Sequence, residues 1–191
     1  MQRKYILSKQ NEREITRDFT YAISHFVKER KRFTFEEDCI RNQQSTVETC
    51  GFEYVSMITR KKFASGTKVQ TECSFEKFGA PLIVFTNQIN DCTYGENFEV
   101  VAWEKGCNVW QIVPDIEKEP KLIGQFLFPI ETNSKVKLGV EFFKKRIEIS
   151  INGRKYNLIN PHFPEEFYVG FTACEGINRF YFFAIEESEL C

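Results

Sequence analysis

Residues 136–158 have the sequence VKLGVEFFKKRIEISINGRKYNL, in which apolar and polar side chains alternate over three short segments. Alternation with a period of two is typical of strands that bury one face. Asn152-Gly153 separates the last two segments, and this dipeptide is favoured in two-residue hairpin turns because both turn positions need a positive φ. The pattern predicts three strands, over residues 136–143, 146–151 and 154–158.

Similar strand patterns, with turn residues between them, recur on both sides of this stretch at intervals of about a dozen residues. Residues 68–76 alternate cleanly, whereas residues 82–85 are apolar on both faces, as in a central strand. This recurrence favours an all-β fold, an antiparallel β-sandwich or jelly roll of two curved sheets, over alternating βαβ units. We expect residues 1–191 to form a single domain. Further strands are predicted over residues 98–103, 109–113, 168–173 and 180–186.

The region before residue 50 has a mixed pattern. Residues 18–31 place apolar side chains at helical spacing, which predicts a short helix or turn there. The alternation of Phe19, Tyr21 and Ile23 also suits a strand. A strand is predicted over residues 32–36.

Composition excludes several classes of function. The chain has 26 Lys plus Arg residues and 27 Asp plus Glu residues, so it lacks the basic excess of proteins that bind nucleic acids or anionic membranes. No apolar segment is long enough to span a bilayer, and the N-terminus lacks the apolar region of a secretory signal, which predicts a cytoplasmic location. The seven cysteines include no C-x-x-C pair and the two histidines are isolated, so we predict no metal site and no cofactor.

The predicted hairpin over residues 97–113 carries the only two tryptophans, Trp103 and Trp110. If Lys105-Gly106 formed the turn, Trp103 would lie opposite Asn108, and Glu99 would share their face of the sheet. Aromatic rings bind the apolar faces of sugars, and amide and carboxylate groups bind sugar hydroxyls. The hairpin therefore predicts ligand-binding roles for Trp103, Asn108 and Trp110, although buried core tryptophans would give the same pattern.

The order of these segments resembles the concanavalin A-like lectin/glucanase superfamily, whose members form a jelly roll of two curved antiparallel sheets. The resemblance covers about residues 30–187 and lies in strand order rather than in a diagnostic motif. It implies binding or cleavage of glycans on the concave sheet. The segments that carry the resemblance are GFEYVS (51–56), FGAPLIVF (78–85), NFEVVAWE (97–104), FYVGFTA (167–173) and FYFF (180–183).

Glucanases of this superfamily carry two glutamates on one strand with an aspartate between them. The nearest match here is Glu99 to Glu104, in which Val101 replaces the aspartate. Residues five apart also point to opposite faces of a strand unless a bulge intervenes. Glu99 is therefore the catalytic candidate, in a motif that is not intact.

A second candidate ligand-binding group is the loop that joins the last two predicted strands, where Glu175, Asn178 and Arg179 surround Gly176. Loops on rigid sheets often carry function. The alternative is a tight turn in which Asn178 tolerates a left-handed backbone.

Three functions are consistent with these observations. The leading hypothesis is a lectin-like, carbohydrate-binding domain that binds an oligo- or polysaccharide on its concave sheet. The first alternative is a glycoside hydrolase-like enzyme acting on oligo- or polysaccharide. The second is a non-enzymatic structural or interaction protein.

Overall fold

The computed structural model describes residues 2–42, 53–114 and 119–188. Gly51 and Phe52 of the first resembling segment, together with Cys50 and Cys191, lie outside the described residues. Neither helical segment in the described part of the chain is long and apolar enough to cross a membrane. The N-terminal elements are β1 (Gln2–Ile6), a 3-10 turn (Lys9–Asn11), α1 (Glu12–Asp18), β2 (Phe19–Tyr21), β3 (Thr34–Phe35) and β4 (Ile40–Arg41).

The rest of the described chain is built from strands joined by short turns. In chain order they are β5 (Tyr54–Thr59), β6 (Phe63–Ala64), β7 (Thr67–Phe75), β8 (Ala80–Thr86), β9 (Ile89–Asn90), β10 (Thr93–Tyr94), β11 (Asn97–Trp103), β12 (Gly106–Ile112), β13 (Lys121–Leu127), β14 (Val136–Phe143), β15 (Arg146–Ile151), β16 (Arg154–Ile159), β17 (Glu166–Cys174) and β18 (Asn178–Glu187).

These strands form two large antiparallel sheets, which confirms the predicted all-β sandwich. The first sheet has the order β16-β15-β14-β7-β18-β4-β3, and β1 also pairs with β18. The second sheet has the order β13-β12-β11-β8-β17-β5-β2, and β6 also pairs with β17. β9 and β10 form a separate two-stranded ribbon.

The core between the sheets is rich in phenylalanine. Phe85 of the second sheet meets Phe142 of the first edge-to-face, with ring centroids 4.9 Å apart, and Phe142 stacks on Phe167 at 4.0 Å. All three rings are buried. Because burying one such side chain contributes about 1.5–3 kcal/mol, these contacts add to the apolar burial that holds the sheets together.

The local predictions around the opening hairpin are confirmed. β14, β15 and β16 pair in sequence, and Asn152 and Gly153 have φ values of 47° and 83°. In β7 the alternate side chains Val69, Thr71, Cys73 and Phe75 are buried, as the period of two predicts.

Within residues 18–31 the structure has a turn at His25 and Phe26, as predicted, but the predicted helix does not form there. The helix lies earlier, at Glu12–Asp18, and Phe19 begins a strand that pairs with β5. Phe19 is fully buried between Tyr5 and Phe171. Backbone pairing with β5 and burial in the core therefore outweigh the helical spacing of the apolar residues.

The predicted register of the β11–β12 hairpin is wrong by two residues. Trp103 lies opposite Gly106 and Glu99 lies opposite Trp110, so the two turn residues are Glu104 and Lys105. Gly106 is the first residue of β12 and has a φ of 133°, and a Cβ atom there would lie 2.0 Å from a backbone oxygen of β13. A glycine is needed at this position because β12 and β13 approach so closely there. The register differs from the predicted one by an even number of residues, so every side chain stays on its predicted face of the sheet.

Candidate functional site

A groove of about 640 Å³ lies on the face of the second sheet that is turned away from the first sheet. Phe98, Val100 and Ala102 of β11 point into the core between the sheets, so the alternate residues of that strand point outward. The groove is lined by residues of β8, β11, β12 and β17 and by two neighbouring segments: Phe26, Ala80, Leu82, Glu99, Val101, Trp103, Asn108, Trp110, Ile112, Glu119, Pro120, Cys174 and Glu175.

The structure brings four predicted site residues together in this groove. Glu99 and Trp103 come from β11, and Asn108 and Trp110 come from β12. Glu99 lies directly opposite Trp110 in the sheet. Both indoles are half-buried, so part of each ring is open to a ligand.

Two polar groups lie at the indoles, the N–H of Trp103 and the side-chain amide of Asn108, and only the amide is placed to reach a ligand. The indole N–H of Trp103 is buried and has no partner among the described residues. The side-chain oxygen of Asn108 accepts a hydrogen bond of 3.2 Å from the amide of Gln125. Within the described ranges, the amide nitrogen of Asn108 has no acceptor of its own, so it can donate to a ligand.

Glu99 lies at the floor of the groove and is 5% exposed. The hydroxyl of Tyr54 donates a hydrogen bond of 2.6 Å to Oε1 of Glu99. Burial raises the pKa of Glu99 to about 7, and the hydrogen bond from Tyr54 only partly offsets this. The carboxyl group is therefore close to half-ionised near neutral pH.

Phe26 closes one side of the groove and was not identified from the sequence. Its ring packs edge-to-face on Tyr54, with centroids 5.9 Å apart, and the side chain is 39% exposed. The segment that carries it is held across the second sheet, because the Ala22 N–H donates to the Ser56 carbonyl and the Tyr94 N–H donates to the Ile23 carbonyl. The segment that carries Phe26 therefore covers the groove over β5 and leaves it open over β11 and β12.

The other three predicted site residues, at the loop between β17 and β18, do not all face the groove. Glu175 is exposed and lines the groove. Asn178 is fully buried, and its amide donates a hydrogen bond of 2.6 Å to the Glu175 carbonyl, which holds the turn. Arg179 forms an ion pair of 2.9 Å with Glu76, on the first sheet. Only Glu175 of this group can contact a ligand in the groove.

The described residues include one cluster of metal-ligand type, formed by Glu36, Asp38 and Cys39. Two of its members already have protein partners, because the Cys39 thiol donates to Glu36 and Arg41 lies 3.7 Å from the same carboxylate. Burial and the neighbouring Glu36 raise the pKa of Cys39 to about 12, so the thiol stays protonated.

A retaining glycosidase needs two carboxyl groups about 5–5.5 Å apart. Glu104 is exposed in the turn of the β11–β12 hairpin and does not line the groove. Burial alone raises the pKa of Glu99, with no contribution from a neighbouring carboxylate. The other described carboxylates of the groove belong to Glu119 and Glu175.

The two stacked antiparallel sheets form a β-sandwich fold that several solved structures share. A protein of unknown function with a galectin-like fold, from Bacillus subtilis, superposes with a TM-score of 0.66 at 10% identity, covering 98% of this chain and 98% of that one. The carbohydrate-binding module CBM66 from the same organism gives 0.63 at 14% identity, covering 85% and 91%.

A glycoside hydrolase family 16 endo-glucanase from Bacteroides ovatus gives a TM-score of 0.63 at 11% identity, covering 96% of this chain and 99% of that one. No protein-family model and no curated protein sequence matches the chain. At identities this low, the likeness establishes a shared fold.

Proposed function

We propose that the protein is a lectin-like domain that binds an oligo- or polysaccharide in the groove, without cleaving it. The observation that carries this proposal is the joint presence of two half-buried indoles, Trp103 and Trp110, beside the amide of Asn108 on one open surface. Indole faces pack on the apolar faces of sugar rings, and the amide is placed to bind hydroxyls. The carbohydrate-binding module that shares the fold gives further support.

The test is a screen against a glycan array followed by calorimetric titration of Trp110→Ala. Covering one indole face with a sugar ring contributes about 1.5–3 kcal/mol. The variant is therefore expected to bind about ten- to a hundredfold more weakly. Phe78→Ala is the matched control, because Phe78 is also an exposed aromatic residue (54%) but lies outside the groove. Equal weakening by both substitutions, or no glycan bound by the native protein, would refute the proposal.

A glycoside hydrolase is the second candidate, and one observation favours it. A buried carboxyl group with a pKa of about 7, such as Glu99, is suited to act as a general acid. The replacement of the motif's aspartate by Val101, and the position of Glu104 outside the groove, argue against hydrolysis. Any hydrolytic activity on the bound glycan that falls by orders of magnitude in Glu99→Gln would favour the enzyme, and an activity unchanged in that variant would remove Glu99 as its catalyst.

A further inference from the structure

The groove is acidic although the chain as a whole is nearly neutral. The formal net charge of the protein is −1. Glu99, Glu119 and Glu175 line the groove, and none of its described lining residues is a lysine, arginine or histidine. Lys105 lies outside the lining, with its Nζ 5.8 Å from the centroid of the Trp103 ring.

One ligand in the groove can contact both carboxylates and indole rings. Glu119 and Glu175 are exposed beside the groove, whereas Trp103 and Trp110 are half-buried within it. An ammonium group bound here would meet carboxylates and the electron-rich faces of indoles, both of which attract cations. A uronate or sulfate group would meet these carboxylates, and the described lining offers it no basic side chain; like charges in contact are unfavourable.

We propose that the groove selects amine-bearing sugars, such as glucosamine oligomers, over uncharged sugars and excludes acidic glycans. This inference rests on the proposed glycan-binding function and assigns its ligand class. Glu175 and Glu119 pair with the sugar ammonium groups, and the indoles pack on the sugar rings. Glu99 adds a further negative charge beneath the ligand as the pH rises towards neutrality, because its pKa is about 7.

The experiment compares three ligands of matched length by calorimetric titration at mildly acidic pH. Glucosamine oligomers carry the amine, N-acetylglucosamine oligomers have the same backbone without the charge, and oligogalacturonate carries carboxylates. We expect affinity to fall in that order, and the advantage of the amine to shrink at high salt because ion pairs at exposed sites are screened.

Three variants locate the effect. Glu175→Gln and Glu119→Gln are each expected to weaken binding of the glucosamine oligomer about threefold, the size of an exposed ion pair, and to leave the N-acetylated oligomer unchanged. Glu104→Gln is the matched control, because it removes an exposed carboxylate from the hairpin turn outside the groove. Equal weakening by Glu104→Gln would show that overall charge, rather than the groove, attracts the amine.

The outcomes separate this inference from the proposed function. If the N-acetylated or acidic oligomer binds as tightly as the glucosamine oligomer, the amine selectivity is refuted while glycan binding stands. If no sugar binds, the proposed function itself fails. Spermine carries amines without sugar rings, and binding of spermine as tight as that of the glucosamine oligomer would refute recognition of a sugar.

Discussion

Tyr54 and Glu99 are joined by a hydrogen bond of 2.6 Å that connects β5 to β11 across two intervening strands, β17 and β8. Both side chains are buried, and Glu99 forms part of the groove floor. Burial raises the pKa of both groups, so Tyr54 remains a hydrogen-bond donor at any physiological pH. The pair fixes the position and the protonation of the one carboxyl group beneath the proposed ligand.

Tyr54→Phe is expected to raise the pKa of Glu99 further above about 7, because the hydroxyl of Tyr54 stabilises the ionised carboxylate. An NMR titration of the glutamate side chains measures the change. Tyr94→Phe is the control, since its hydroxyl is equally buried but bonds to Ser56 instead of Glu99. A Glu99 pKa that stays constant in Tyr54→Phe would mean that the hydrogen bond does not tune this group.

Glu99 is expected to make the protein less stable as the pH rises. Its pKa is 4.5 when unfolded and about 7 when folded, so between these values the folded state binds more protons and the free energy of unfolding falls with pH. Below pH 4.5 Glu99 is protonated in both the folded and the unfolded state, so it does not affect the free energy of unfolding. Above a pH of about 7 the free energy of unfolding has lost its full contribution from Glu99, about 3 kcal/mol.

Glu99→Gln removes this loss and retains an oxygen that accepts the Tyr54 hydrogen bond. Urea unfolding should give similar stabilities for the variant and the native protein at acidic pH, and a more stable variant at mildly alkaline pH. The exposed Glu104 offers a control, because Glu104→Gln should show no such divergence. A native protein that gains stability relative to Glu99→Gln as the pH rises would contradict the prediction.

Phe26→Ala is expected to lower the pKa of Glu99 from about 7 towards its ordinary range. Phe26 covers Tyr54 at the edge of the groove, so its removal admits water to the buried pair and weakens the desolvation that raises the pKa. NMR titration measures the shift, and the cost in stability should be about 1 kcal/mol because the ring is 39% exposed. Phe78→Ala changes an exposed ring that does not line the groove and should leave the pKa unchanged.

Asn178→Ala is expected to destabilise the protein by about 1–3 kcal/mol, because it removes a fully buried side chain and the part-buried hydrogen bond from its amide to the Glu175 carbonyl. Arg179→Ala removes only a partly exposed ion pair with Glu76 and should cost less than about 1 kcal/mol. Denaturant unfolding compares the two. A loss of glycan binding in Asn178→Ala without any loss of stability would instead assign this residue to the ligand site.

The sequence predicts the strands and the orientation of their side chains with good accuracy. The β14–β16 hairpins follow from local alternation and from Asn152-Gly153, because the period of a strand is a property of its own backbone. The same parity places Glu99 and Trp110 on one face, even though the predicted register of their hairpin was wrong by two residues.

Other elements could not be predicted from local pattern. β13 was missed because its sequence, KLIGQFL, does not alternate clearly and the strand lies at the edge of the second sheet. The segment after residue 18 has helical spacing, yet Phe19 pairs with β5, far along the chain. Such pairings depend on which strands neighbour one another in the folded sheet.

Periodicity and turn chemistry in the chain were thus sufficient to establish the sandwich and to place the two indoles on one surface. Which side of that surface is open, and the pKa of its buried carboxyl group, depend on Phe26 and Tyr54, which precede Glu99 by 73 and 45 residues. These features arise where segments distant in sequence exclude water from the same space, and burial of that kind exists only after the two sheets have packed.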